Sequence, residues 1–452
     1  MKITFLGAVE EVTGSKYFIE HEDTKILVDC GLFQGDSELR QRNWDKFPIE
    51  PSSIDAVILT HAHIDHSGYI PLLVKNGFKN KIYCSDATFE LCSILLVDSG
   101  MLQEEDTGHA NKHGYSSHDP ALPLYTKSDA EHSLKYFQVV DYDTVLTIGK
   151  SLKVTLIRSG HILGSSFIII SDGEKTITFS GDLGRPDDLI MKSPTHLKKT
   201  DFLVIESTYG NKLHGKDDPI KAIGEVVNKT IAQGGVLIIP AFAVGRTQTI
   251  LYCLYQLKQT KIIPDIPIFL DSPMAISVTH LLCKFKDELK LSSQLCTDIC
   301  GIARYTRTRE ESMEIDQVKG SSIIIAASGM ATGGRVLHHF RHFISDSKNT
   351  ILFVGFQAKG TTGRALVDGA KEIKIHGKMY PVNAEIKTIE TLSAHADYNE
   401  ILDWIGYFES GPKKVFITHG EIESAQSLKK KIEERFDCSV VIPTYLESFE
   451  LD

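Results

Sequence analysis

The chain has 452 residues, 42% hydrophobic and 24% charged, with a net charge of −10. That length exceeds what one hydrophobic core usually organises, so two domains or one domain carrying a large insertion are expected, and the composition excludes a disordered chain. No run approaches the ~18 apolar residues of a membrane span, and the opening MKITFLGAVEE lacks a basic region and a cleavage site, which predicts a cytoplasmic protein with no membrane contact. Bulk acidity also argues against a surface that binds polyanions everywhere, so any such substrate must meet a local basic groove.

Apolar, β-branched runs punctuate the first 206 residues: KITFL, KYFIE, KILVD, AVILT, KVTLI, FIIIS, KTITF and DFLVIE, each closed by a glycine, an aspartate or a polar turn. They predict a strand-rich α/β domain. One helix is predicted over 87–106, apolar on one face and acidic on the other, and the polar stretch 107–123 is predicted to be a long surface loop. After about residue 208 helix and strand alternate, from DPIKAIGEVVNKTIAQGG and VLIIPA to GGRVLHHFRHFI and TILFVGF, the pattern of a parallel, doubly wound sheet. Strand-like runs return from about 386 in KTIETLSAHAD and KVFITHGE, followed by the charged amphipathic helix EIESAQSLKKKIEERF. The predicted organisation is a first domain in two parts, 1–207 and 386–452, around an insertion at 208–385. The eight cysteines are scattered, and the close pair Cys296 and Cys300 lacks the spacing of a zinc ribbon, so free thiols are expected.

The chemistry concentrates in HAHIDHSG, where His61, His63, Asp65 and His66 offer imidazole and carboxylate ligands within a loop that follows the strand AVILT. A loop lets such side chains converge, whereas a straight strand sends alternate residues apart. One histidine here would be unremarkable as a solvated or hydrogen-bonded side chain; the cluster is the donor set of a catalytic metal site. Further candidates stand at strand ends: His161 after TLIRSG, Asp182 after ITFSG, Glu206 after FLVI, His395 in TLSAHAD and His419 after KVFIT. Singly each has a plain structural reading, as turn residue, helix cap or packed histidine. Together they share the address at which open α/β sheets place their sites. The assignment that follows gives His61, His63 and His161 to one metal, Asp65, His66 and His419 to a second, and Asp182 to both, with a bridging water as nucleophile. Ligand type makes zinc the default and manganese the alternative. Asp29, which ends ILVD, reads equally as a carboxylate orienting a ligand histidine or as an ordinary turn residue.

HAHIDHSG with Asp29, His161 and Asp182 resembles the metallo-beta-lactamase superfamily, and ESTYG, SAHAD and THGE around Glu206, His395 and His419 resemble the extra motifs of its beta-CASP branch of nucleic-acid-processing enzymes. The resemblance runs over essentially the whole chain. It implies a four-layer alpha-beta-beta-alpha sandwich with an inserted doubly wound α/β domain, and a two-zinc phosphodiesterase whose bridging hydroxide attacks phosphorus to leave 3′-hydroxyl and 5′-phosphate ends. It implies that His395 is the general acid, oriented by Glu206, and that both act with Asp65 and Asp182 in catalysis. Histidine at 419 favours RNA, since DNA-repair members usually carry valine there. The expected substrate is single-stranded RNA, cut endonucleolytically or from the 5′ end; a DNA nuclease of the same fold is the alternative, ahead of a small-molecule metallo-hydrolase. A homodimer is allowed.

Three glycine-rich turns in the insertion are candidate RNA contacts: AFAVGRT with Arg246; SGMATGGR with Ser328, Gly329, Thr332, Gly333 and Arg335; and GFQAKGTTGR with Lys359, Gly360, Thr361, Gly363 and Arg364. Glycines permit close approach of backbone amides to phosphate, and arginine supplies a forked donor. None ends in the Gly-Lys-Ser/Thr of a nucleotide-triphosphate loop.

Overall fold

The computed structural model describes residues 1–113, 120–355, 357, 358 and 360–452. It divides into two compact units: residues 1–213 with 395–452, and residues 214–394. Among the described residues no helix is long and apolar enough to cross a membrane.

The first unit holds β1 (Lys2–Phe5), β2 (Tyr17–His21), β3 (Thr24–Val28), β4 (Ala56–Ile58), β5 (Lys81–Cys84), β6 (Phe137–Val139), β7 (Val145–Ile148), β8 (Leu152–Arg158), β9 (Ser166–Ser171), β10 (Thr176–Phe179) and β11 (Phe202–Glu206). The second holds β12 (Leu237–Pro240), β13 (Ile268–Asp271), β14 (Arg304–Tyr305), β15 (Ile323–Ala326), β16 (Thr350–Val354), β17 (Glu372–Ile375), β18 (Lys378–Pro381) and β19 (Glu385–Ile389). The chain then returns to the first unit with β20 (Lys414–Thr418), β21 (Ser439–Val441) and β22 (Ser448–Glu450).

Two sheets make the first unit, in the orders β22-β1-β2-β3-β4-β5-β6 and β21-β20-β11-β10-β9-β8-β7. Their facing sides interdigitate in one core, where Ile3, Phe5, Ile19, Val28 and Ile58 of the first sheet meet Leu156, Ile168, Ile177, Val204 and Phe416 of the second. The other side of the second sheet buries Leu203, Ile205 and Ile417 against the helices Tyr398–Ile405 and Ile422–Arg435, through Ile401, Trp404, Ala425 and Leu428. These strands read as near-continuous apolar runs because both faces are covered. The architecture is the expected four-layer sandwich.

The second unit is built on β14-β13-β15-β12-β16-β19, every neighbouring pair parallel. Its division from the first falls at 213/214 and 394/395 rather than 207/208 and 385/386. The reason is β19: EIKTI pairs with β16 along its whole length, so the run expected to resume the first domain completes the inserted sheet. The helix predicted over 87–106 spans Asp86–His113, carrying helical structure into the stretch expected to be loop. Thr107 returns its hydroxyl to the Gln103 carbonyl and Asn111 clamps the backbone of Ala121, which gives polar residues helical partners that periodicity does not register. Residues 114–119 of that predicted loop lie outside the described residues.

Strand direction explains why the candidate residues assemble. β10, β11 and β20 run parallel, and β8 shares their direction because both it and β10 are antiparallel to β9. His161, Asp182, Glu206 and His419 therefore emerge at one edge of the second sheet. In the first sheet β3 and β4 are parallel, so Asp29 and His61 leave it at a common edge. The 61–66 loop is pinned by backbone bonds: Ser15 N–H donates to the Asp65 carbonyl (2.9 Å), Cys30 N–H to that of His66 (2.7 Å) and Leu32 N–H to that of Ile64 (3.0 Å). Gly31 permits this approach, since a Cβ there would overlap the Asp65 carbonyl.

Candidate metal centre

Two donor groups form around Asp182. In the first, His61 Nε2 lies 3.1 Å from His63 Nδ1, and His161 Nε2 lies 3.4 Å from His63 Nδ1. Asp182 Oδ2 is 3.3 Å from His61, 3.2 Å from His161 and 4.0 Å from His63. In the second, Asp65 Oδ2 is 3.3 Å from His419 Nε2 and 3.9 Å from His66 Nε2. Asp182 Oδ1 completes that group at 3.2 Å from His66 and 3.5 Å from His419. Each carboxylate oxygen of Asp182 thus faces a different group.

These spacings and donors fit divalent metals. A tetrahedral site with bonds near 2.1 Å has ligand–ligand edges of about 3.4 Å, the middle of the observed range. The buried Asp182 Oδ1 has no hydrogen bond among the described residues. Among the described residues the ion-pair partners of Asp29, Asp65, Asp182 and Glu206 are histidines, with no lysine or arginine among them, so the site holds four carboxylates and no permanent cation. Burial, reinforced by the neighbouring His66, pushes His61 down to about 4, and burial holds His161 well below its ordinary value, so both present neutral lone pairs. Burial opposes ionisation of Asp182, yet His419 and His66 outweigh it and hold the carboxyl well below its usual range.

The ligands are themselves oriented. Asp29 accepts from Thr60 N–H (2.7 Å) and the Thr60 hydroxyl (2.8 Å), and its Oδ2 lies 2.8 Å from His66 Nδ1. Thr60 Oγ1 is also 3.0 Å from His61 Nδ1, and Thr208 Oγ1 is 3.2 Å from His419 Nδ1. Sequence reasoning missed both threonines. The available signal was position, since Thr60 directly precedes His61 and Thr208 stands two residues after Glu206. Asp29 and His419 adopt left-handed backbone, φ 57° and 50°, a conformation rare outside glycine that concentrates where side chains must be aimed. Asp29→Ala is expected to weaken metal affinity by about 10- to 100-fold, the usual effect of removing a group that orients a ligand histidine. Competition with a chromophoric chelator measures this, and an affinity within twofold of wild type contradicts it.

Beside these groups, His395 Nδ1 sits 3.1 and 3.2 Å from the two oxygens of fully buried Glu206 and 3.9 Å from Asp182 Oδ2. Glu206 Oε1 also accepts Leu183 N–H at 2.6 Å. Burial works against charge on His395, but Glu206 and then Asp182 overcome it and raise the imidazole to about 9. Glu206 thus favours the protonated form of His395 beside the two donor groups.

The glycine-rich turns meet one another within the second unit. Gln357 Nε2 donates to the Gly329 carbonyl (3.2 Å), Gly363 N–H to that of Met330 (2.9 Å), and Arg246 packs against Gly355. A Cβ at Gly333 or Gly360 would meet open space, while one at Gly363 would strike Gln357. Ser328 Oγ accepts Thr332 N–H (3.1 Å), and Thr361 caps the helix Thr362–Val367. Arg335 corrects the sequence reading: its guanidinium donates to Asp271 Oδ1 (2.6 Å) and to the carbonyls of Thr306 (3.1 Å) and Arg307 (2.7 Å), so its fork is committed within the fold instead of offered to phosphate. Arg364 forms an exposed two-bond pair with Asp368, one turn on. Lys359 lies outside the described residues.

Comparison with known proteins locates this geometry. Residues 10–221 match the metallo-beta-lactamase superfamily, 247–366 the Beta-Casp domain, and 379–443 the Zn-dependent metallo-hydrolase RNA specificity domain. The ribonuclease TTHA0252 of Thermus thermophilus is 33% identical over 438 residues, 95% of each chain. The chain belongs to the beta-CASP family of metallo-beta-lactamase-fold nucleases. Among its beta-CASP relatives is the transcription termination factor FttA of Methanosarcina mazei, 32% identical over 475 aligned residues that cover the whole of this chain and 72% of FttA. A crystal structure of a protein of unknown function from Enterococcus faecalis V583 shares the fold, with TM-score 0.56, 14% identity and 99% coverage of both chains.

Proposed function

We propose that this beta-CASP protein is a zinc-dependent ribonuclease that hydrolyses single-stranded RNA to 3′-hydroxyl and 5′-phosphate ends. The observation that carries the reading is the division of Asp182 between two donor groups, with the His395–Glu206 pair 3.9 Å from the same carboxylate. His61, His63 and His161 would hold one zinc, Asp65, His66 and His419 the other, and Asp182 both. When bound, the zincs supply a water acidified enough to attack at neutral pH and positive charge for the phosphate oxygens.

The chain's own residues supply the rest. A ribose 3′ oxygen leaves poorly as an alkoxide, and His395 delivers a proton to it as the bond to phosphorus breaks. Glu206 holds the imidazole by Nδ1 and stabilises its cationic form before transfer. Arg246 and the turns at Gly333 and Gly360, whose faces are open, would contact phosphates of the strand. RNA over DNA is supported by histidine at 419, by the RNA specificity match over 379–443 and by the relative named a ribonuclease.

The test is cleavage of end-labelled single-stranded RNA with the product termini identified. Products that ligate through a 5′-phosphate and extend from a 3′-hydroxyl are expected. A 2′,3′-cyclic phosphate overturns the proposal, because it would make the ribose hydroxyl the nucleophile. RNA affinity should also fall steeply with salt, with log K linear in log salt at a slope of about −0.7 per phosphate neutralised on a single strand. Affinity indifferent to salt contradicts a groove that tracks phosphates.

A further inference from the structure

The second unit contains another cluster of metal-ligating side chains that the proposed reaction does not use. The helix Arg335–Phe343, RVLHHFRHF, places His338 and His342 four residues apart, hence on one face. Both rings reach the same carboxylate oxygen: Asp316 Oδ2 is 2.8 Å from His338 Nε2 and 3.2 Å from His342 Nε2. The ring centroids of the two histidines are 5.0 Å apart. Asp316 follows the preceding helix, Arg309–Ile315, as its C-cap, and only 2% of its side chain is exposed.

The carboxylate is held in place from behind. Asp316 Oδ1 lies 3.1 Å from Nδ1 of fully buried His339, whose Nε2 lies 2.7 Å from Asp271 Oδ2. Asp271 is in turn bound by Arg335 and by the hydroxyl of Thr306. Oδ2 is thereby left to His338 and His342, the arrangement in which outer partners fix a ligand carboxylate.

An ordinary ion pair explains this cluster poorly. Arginine neutralises Asp271, but among the described residues the ion-pair partners of Asp316 are histidines alone. His338 Nε2 is shielded from solvent and, despite its 2.8 Å approach to Asp316, makes no hydrogen bond among those residues. His338 Nε2, His342 Nε2 and Asp316 Oδ2 thus converge on one point, where small side-chain adjustments would let all three hold a cation. His342 is 43% exposed, which leaves the outer side open to water.

We propose that Asp316, His338 and His342 bind a divalent cation of the zinc type, separately from the His61–His419 centre, with solvent completing the coordination. Two imidazoles and one carboxylate suit a borderline cation and leave a position free. Its consequence is structural. The ion ties the end of helix Arg309–Ile315 to helix Arg335–Phe343 and fixes the Asp316–His339–Asp271–Arg335 chain below the 328–334 turn.

Wild type, His338→Ala/His342→Ala, Asp65→Ala/His66→Ala and the variant combining all four substitutions are stripped with chelator, reloaded with Zn2+, desalted and assayed for zinc per chain. One zinc fewer is expected in His338→Ala/His342→Ala than in wild type. The same one-zinc difference should separate Asp65→Ala/His66→Ala from the combined variant. Wild type should show a zinc-dependent rise of its thermal transition beyond that of His338→Ala/His342→Ala. Circular dichroism confirms folding, and His342→Ala alone, at an exposed position, reports the same loss if the double variant is unstable. Equal zinc in wild type and both His338/His342 variants overturns the proposal, as does zinc that washes from this site in every protein. Because the comparison is repeated without Asp65 and His66, its outcome is independent of the nuclease reading.

Discussion

Asp182→Asn is expected to lower RNA cleavage by about 10³-fold or more, through loss of several kcal/mol of metal-derived stabilisation. The substitution keeps the shape of the side chain but removes its charge and replaces one oxygen with an amide nitrogen that cannot act as a ligand. Because Oδ2 faces His61 and His161 while Oδ1 faces His66 and His419, either orientation of the amide deprives one donor group of its carboxylate. The effect should therefore appear in metal content as well as in rate. Metal per chain, cleavage rate and a thermal melt measured together decide the matter. A rate within tenfold of wild type at full metal occupancy would show that Asp182 does not link the two groups.

His395→Ala should separate chemistry from metal binding. The imidazole is held by Glu206 and lies outside both proposed ligand sets, so metal content should stay at the wild-type level while cleavage falls by about 10²- to 10⁴-fold, the range of a lost general acid. A substrate whose leaving group needs no proton sharpens the comparison. An RNA analogue with sulfur in place of the 3′ leaving oxygen should be cut by His395→Ala at close to the wild-type rate, since a thiolate departs unaided. Equal losses on both substrates would give His395 a structural role.

The central cluster was legible because HAHIDHSG compresses several ligands into one loop, and the remaining candidates each followed an apolar strand. Strand direction, which no periodicity reveals, brought His161, Asp182, Glu206 and His419 to one edge. Thr60 and Thr208 escaped notice because a threonine beside a strand has many ordinary uses, and only the 3.0 and 3.2 Å approaches to His61 and His419 distinguish them. Arg335 was misread for a related reason. Its partner Asp271 is 64 residues away in sequence and ends a different strand, so a glycine-rich turn ending in arginine looked like a phosphate site. The insertion boundary moved because KTIETL carries the same alternating signal whichever sheet accepts it. Pairing with β16 decides its allegiance.

The most direct test pairs end-labelled RNA and DNA of identical sequence with wild type and Asp65→Ala/His66→Ala, measuring metal per chain in the same samples. Wild type should cut RNA well ahead of DNA, and the variant should lose both cleavage and bound metal. RNA cut alike by the two proteins would contradict a nuclease built on this metal centre.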